Sequence, residues 1–253
     1  MVAPAIGGFL DEAYGWQAAF LMTLAFGLVV FAVVFLDLGE TNNARSSSMM
    51  AQIRTYPELF GSRRFWGYTL TAAFTSGTFF AFVGGGPYVA TEMLGLRPSG
   101  YGFYFALISA GYMLGNFLSG RYSRKFGINT MMLAGNVVSA LGMAASLALF
   151  MAGLHHPLSL FGPAALLGVG NGLTLPSANA GTVSVRPHLA GSASGLGGAL
   201  QIGGGAALSV IAGALLSPQS GPFPLIWVML CSSLAAVAAT LYVIHVARQA
   251  GRI

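Results

Sequence analysis

Along the chain, long stretches free of charge alternate with short polar breaks. The charge-free windows run 13–36, 65–91, 98–120, 126–185 and 187–247. None alternates apolar and polar residues with the two-residue period of a barrel strand, and each reaches the roughly 20 residues that a helix needs to cross a bilayer. The last two windows are about twice that length and break internally at GLHHP (153–157) and SPQSGP (217–222). The pattern predicts seven full helices, at 18–38, 65–88, 100–120, 129–152, 158–182, 190–216 and 223–246, with a loop over 39–64. The opening MVAPAIGGFL is apolar but too short to span, so 1–10 reads as the end of an eighth helix.

Composition says what surrounds these helices. Hydrophobic residues make up 55% of the 253 and charged residues 7%, where a soluble domain carries about 25% charged. Mean hydropathy is +0.74. Such a chain cannot dress a water-facing surface, so its solvent is lipid and its fold class is all-α integral membrane. The net charge of +5 comes from basic residues too few and too scattered to form a nucleic-acid face. A single cysteine, Cys231, excludes an intrachain disulfide and a cysteine-based metal site.

The placement of the basic residues sets orientation. With the loop DEAYGWQ outside, Arg45, Arg54, Arg63, Arg64, Arg121, Arg124, Lys125, Arg186, Arg248 and Arg252 all fall inside, and only Arg97 falls outside. The carboxyl terminus is then cytoplasmic.

Small and polar residues suggest how the helices meet. Gly191, Gly195, Ala199, Gly203 and Ala207 keep strict four-residue spacing, a ridge that lets another helix pack closely or slide. Gly111 with Gly115, and Gly168 with Gly172, repeat the device in two other helices. Polar side chains concentrate in four helices. The second full helix holds Thr71, Thr75, Ser76 and Thr78, followed by Phe79, Phe80 and Phe82. The third holds Tyr104, Ser109, Tyr112 and Asn116. The fifth holds Asn171, Thr174, Ser177 and Asn179 around Pro176, and the sixth holds Gln201. Amides in a bilayer need partners, which either an interhelical hydrogen bond or a wet cavity supplies. The first full helix is almost bare of polar groups.

No carboxylate lies deep in any full span: Asp37 and Glu40 sit at the inner end of the first, Glu58 and Glu92 in loops. A proton- or cation-coupled machine needs a titratable group in its pathway, so such a group has to come from elsewhere. His155, His156, His188 and His245 sit at turns or helix ends, and nothing resembles a catalytic, phosphate-binding or metal site. The only lysine, Lys125, lies in a loop, which excludes a retinal protein with a last-helix Schiff base.

Three stretches resemble a known family. Ala3-Pro4-Ala5-Ile6-Gly7-Gly8 is similar to the tail of the antiporter motif Gly-Pro-x-x-Gly-Gly in helix 5 of the major facilitator superfamily, with Ala3 for the first Gly. Gly15-Trp16-Gln17-Ala18-Ala19-Phe20 resembles the family's Gly-Trp-Arg-x-x-Phe before helix 6, with Gln17 for Arg. FFAFVGGGPYVATEMLGL and YGFYFALISAGYMLGNFLSGRYSRKFG resemble helices 7 and 8, and the loop after them, in drug:proton antiporters of the bicyclomycin/chloramphenicol-resistance (Bcr/CflA) type. That loop is similar to Gly-x-x-x-Asp-Arg-x-Gly, read here as Gly120, Arg124, Lys125 and Gly127. Arg124 stands where Asp belongs, so a positive-inside anchor replaces a charge relay.

The resemblance implies a partial major facilitator fold: 1–10 the end of helix 5, 18–38 helix 6, 39–64 the cytoplasmic central loop, and 65–253 a six-helix half, helices 7 to 12. Helices 7, 8, 10 and 11 would line a central cavity, with 6, 9 and 12 facing outward. It implies multidrug efflux from a bacterial inner membrane by alternating access and proton antiport, with no enzymatic activity, no cofactor and no metal. Substrate contacts would come from Phe79, Phe82, Tyr112, Asn116, Asn171 and Gln201. Pro4, Gly7, Gly8, Pro87, Pro176, Gly191, Gly195 and Gly203 would serve bending and packing. The partners are the bilayer, a lipophilic drug-like molecule and an N-terminal half bearing the proton-carrying acid, without which this chain would not pump. Competing readings are a non-transporting remnant, a half-module needing a separate partner, or a uniporter or symporter of the same superfamily.

Overall fold

The computed structural model describes residues 3–37 and 56–249. Among them the secondary structure is helical: α1 Ala3–Tyr14, α2 Trp16–Asp37, α3 Tyr56–Phe60, α4 Arg63–Tyr88, α5 Pro98–Phe126, α6 Ile128–Met151, α7 Pro157–Ser184, α8 Ala190–Leu215 and α9 Phe223–Gln249. A π-helical turn, Val89–Met93, continues α4 just after Pro87, and a 3-10 turn, Pro187–Leu189, precedes α8. The seven long helices, α2 and α4 to α9, fall on the seven expected spans.

Local chemistry sets their ends. Gly15, at φ +78°, breaks α1 from α2, and Gly127, at φ +80°, breaks α5 from α6; this left-handed region is open mainly to glycine. The Ser62 hydroxyl accepts the Phe65 N–H at 3.3 Å to start α4. His156 Nδ1 accepts the Leu158 N–H at 3.1 Å to start α7, with Pro157 in the first turn, where a missing N–H does no harm.

Two boundaries differ from expectation. α1 does not stop at residue 10 but runs through Asp11 and Glu12 to Tyr14, and Pro4, Gly7 and Gly8 lie within it. The stretch RYSRK, expected as a loop, is the last turns of α5, where Arg124 and Lys125 face the negative end of the helix dipole. The junction to α6 is Gly127. The expected loop 39–64 lies largely outside the described residues, and α3 occupies part of its end.

Five of the seven long helices are apolar enough throughout to cross a membrane by composition: α2, α6, α7, α8 and α9. α4 and α5 have the length, at 26 and 29 residues, but carry more polar and aromatic side chains. These two need protein neighbours on one side.

Packing is reciprocal. α4, α5 and α6 form one trio in sequence and α7, α8 and α9 another. α4, first of its trio, packs against α8 and α9, the second and third of the other. α7 packs in the same way against α5 and α6. The third helices, α6 and α9, also meet, and α4 touches α7. α1 lies against α2 and α5. α2 buries none of its residues, in keeping with a helix bathed in lipid.

Candidate functional site

The reciprocal arrangement leaves a space between the first and second helices of each trio. It is a cavity of about 440 Å³, walled by Ser76, Phe79 and Phe80 of α4, by Phe105, Ser109 and Tyr112 of α5, by Asn171 of α7 and by Gln201 of α8. Ile108, Gly168 and Leu175 complete the wall. All of these side chains are uncharged.

Aromatic rings close one end. Phe82 and Phe161 are fully buried, their centroids 5.7 Å apart and edge to face. Tyr104 stacks on Phe161 at 5.3 Å, and Phe105 bridges Phe79 at 6.2 Å and Phe82 at 6.1 Å. This plug joins the end of α4 to the starts of α5 and α7. Contacts of this kind add to the burial they bring, so the plug is a firm end wall.

The floor between α5 and α7 is made of backbone. A Cβ on Gly115 would meet the Val169 carbonyl oxygen, and one on Gly172 would meet the Tyr112 carbonyl oxygen. The missing side chains bring together the two helices that carry Tyr112 and Asn171.

Of the six residues expected to touch substrate, Phe79, Tyr112, Asn171 and Gln201 line the cavity. Phe82 does not: it is 0% exposed, held in the plug between Phe105 and Phe161. Asn116 lies a turn beyond Tyr112, outside the wall, with its amide donating to the Tyr112 carbonyl at 2.8 Å. Asn171 is 3% exposed and its Oδ1 has no hydrogen-bond partner among the described residues. An unpartnered buried amide is costly, so its place on a cavity wall matters.

Pro87 sits just before the π-helical turn, while Pro176 lies inside α7, which stays a continuous helix. Gly120, Arg124 and Lys125 are exposed, and the Lys125 ammonium lies 5.3 Å from the Phe126 ring centroid. Within this chain, added Cβ atoms on Gly191, Gly195 and Gly203 of the ridge would meet nothing within 4 Å. α8 instead buries Ala193, Gly197, Gly205 and Ala212, the face turned toward α4.

Asn136 of α6 was not singled out from the sequence. Its Oδ1 accepts from Thr75 at 2.8 Å and Thr174 at 3.3 Å, and its Nδ2 donates to Thr240 Oγ1 at 2.9 Å. One buried amide thus ties α4, α6, α7 and α9 together on the side away from the cavity. The signal was an Asn amid the apolar stretch of a helix that the family resemblance places on the outside. Thr71, Thr75 and Thr174, counted with the cavity-side polar residues, belong to or adjoin this knot, with Thr71 Oγ1 3.3 Å from Thr240 Oγ1.

The comparisons with known proteins decide the family. The Major Facilitator Superfamily profile matches residues 1–207 and 87–252. The chain belongs to the major facilitator superfamily. A bicyclomycin resistance protein homologue from Haemophilus influenzae is 26% identical over 226 residues, covering 88% of this chain and 56% of that protein. Multidrug resistance protein D from Escherichia coli is 29% identical over 227 residues, covering 87% and 55%. The chain therefore spans about half the length of the curated relatives it matches. A crystal structure of a bacterial homologue of the human lysosomal transporter Spinster, inward-facing and unoccupied, aligns with 96% of this chain and 63% of its own at TM-score 0.49 and 15% identity. That likeness is too distant to build on. As a major facilitator, the chain is a multi-pass membrane protein of a transporter family rather than an enzyme. Its reciprocal trios match the superfamily's inverted three-helix repeats.

Proposed function

We propose that this chain forms one half of a drug efflux transporter of the bacterial inner membrane, exporting lipophilic small molecules by alternating access. The observation that carries the reading is the cavity between α4, α5, α7 and α8: about 440 Å³, aromatic on one side and lined by neutral amides and hydroxyls on the other. Apolar rings reward burial of varied shapes, and a few polar groups orient them, a combination suited to breadth rather than to sugars. The names of the two resistance-protein relatives agree with it.

In the orientation set by the basic residues, the aromatic cluster lies at the outer end of the cavity. A ligand would load from the cytoplasm, as export requires. Energy would come from the proton gradient. The carrying acid belongs to a second half supplying the remaining helices, because no carboxylate among the described residues lines the cavity.

The test is transport in proteoliposomes with an imposed proton gradient, using a neutral lipophilic dye. The chain alone binds the dye but does not exchange it for protons; together with an N-terminal half it does both. Proton-coupled exchange by the 253-residue chain alone overturns the need for a second half. A reporter fused after Ile253 reads cytoplasmic, and a periplasmic reading reverses the orientation and the direction of loading.

A further inference from the structure

The aromatic cavity has a neighbour of different character. A second cavity of about 180 Å³ is lined by Thr69 of α4, by Asn179 and Thr182 of α7, and by Ser194, Gly197 and Gln201 of α8. Gln201 lines both. Thr69 precedes Ser76 by seven residues, so the two spaces are stacked along the helices roughly 10 Å apart. The second lies on the side of Gln201 away from the aromatic plug. Its side chains are hydroxyls, amides and small groups, again without charge.

Thr69 is the telling residue. Hydroxyls in helices usually donate to the carbonyl four residues back, and α4 follows that habit at Thr71, Ser76 and Thr78, with bonds of 2.8, 2.8 and 3.0 Å. Thr69 does not. It is 1% exposed, and its Oγ1 has no hydrogen-bond partner among the described residues. Across from it, an added Cβ on Gly197 would come within 3.7 Å of that oxygen and 3.0 Å of Thr182 Cγ2. The absence of a side chain at position 197 keeps the space open beside an unpaired hydroxyl. Asn171 Oδ1, also without a partner among the described residues, stands on the first cavity's wall.

We infer that the second cavity is a polar subsite for the same ligand. It takes an uncharged hydrogen-bonding tail, a hydroxyl or a primary amide, while the apolar body lies among Phe79, Phe80 and Phe105. The inference rests on the transport reading of the aromatic cavity and narrows it: the preferred substrates are neutral amphipathic molecules with a flat apolar body and a polar tail reaching about 10 Å from its centre, the separation of the two spaces. Thr69 and Gln201 select the tail, and Phe79 holds the body. A tail bearing a full charge is disfavoured, because no countercharge lines the space.

Two tritiated probes of nearly equal shape test this: N-(2-hydroxyethyl)-2-naphthamide and N-propyl-2-naphthamide, which differ by a hydroxyl in place of a methyl. Equilibrium binding is measured on the whole chain in lipid nanodiscs. The readout is the ratio of the two dissociation constants, which cancels differences in protein quality. Thr69→Val, nearly isosteric, lowers the preference for the hydroxyethyl probe roughly 3- to 10-fold, the worth of one neutral hydrogen bond, and leaves propyl binding within about twofold. Gly197→Ala fills the space and shifts the ratio the same way. Phe79→Ala weakens both probes alike and keeps the ratio. A ratio unchanged in Thr69→Val and Gly197→Ala, with Phe79→Ala still weakening both probes, overturns the subsite and leaves the cavity reading standing. Failure of the wild-type chain to bind either probe overturns both.

Discussion

α5 and α8 hold equivalent places, each the second helix of its trio, and each carries glycines at four-residue spacing. They use them in opposite ways. The glycines of α5, Gly111 and Gly115, press against α7 backbone, where an added Cβ would collide with the carbonyl oxygens of Ala165 and Val169. Gly168 and Gly172 return the contact from α7, with no side chain between the two backbones. On α8 the four-residue series Gly191, Gly195 and Gly203 faces open space, and α4 is met by Gly197 and Gly205 instead. Spacing alone marks a smooth stripe. Which way that stripe turns depends on the rest of the helix and on what stands opposite.

The difference between the two helices can be broken most strongly at the α5–α7 seam. Gly115→Ala forces a methyl group against the Val169 carbonyl, which cannot swing aside as a side chain would, and lowers stability by about 3 kcal/mol. Reversible unfolding in mixed micelles measures it; a loss under about 0.5 kcal/mol, the range of neutral surface changes, means the seam is looser than its geometry. The next effect comes from the knot behind the seam. Asn136→Leu removes the hub that joins four helices and destabilises by about 1–2 kcal/mol, the upper range for interhelical hydrogen bonds in lipid. The same assay, with Thr240→Val as a second variant removing one spoke and giving a smaller loss, separates the hub from general packing. The smallest effect belongs to the open ridge. Gly195→Ala raises stability by at most about 1 kcal/mol, because alanine favours the helix and meets no neighbour within this chain. A loss as large as that of Gly115→Ala erases the distinction between the helices.

The sequence was informative where lipid and water differ, and silent where lipid and protein do not. Charge-free windows located the seven long helices because a charge in the hydrocarbon region is expensive. The polar content of α4, α5, α7 and α8 identified the helices around the cavity for the same reason. Rotation of each helix about its own axis was another matter. A helix in water turns its apolar stripe inward; one in a bilayer has apolar surroundings on both sides, so its sequence pattern does not fix which face meets protein. Phe82 and Phe79 therefore looked alike, though one is locked in the plug and the other walls the cavity. Thr75 and Ser76, adjacent in sequence, face different neighbours, one Asn136 and the other the cavity. Asn136 lies on a helix that the resemblance places on the outside. α6 does stay off the cavity wall, yet it turns one buried polar face inward.

α2, with no buried residue, bears on how the chain reaches the membrane. Its 22 residues extend about 33 Å, close to the roughly 30 Å of hydrocarbon in a bilayer. Its free energy of transfer comes from acyl chains, so it can partition from the translocon as soon as it is synthesised. α4 follows it in the chain but carries Thr71, Thr75 and Thr78, and the helices that supply their side-chain partners, α6 and α9, come only later in the sequence. Along this chain a lipid-held helix comes first and a protein-held core after it, so α4 precedes the partners that shelter its hydroxyls.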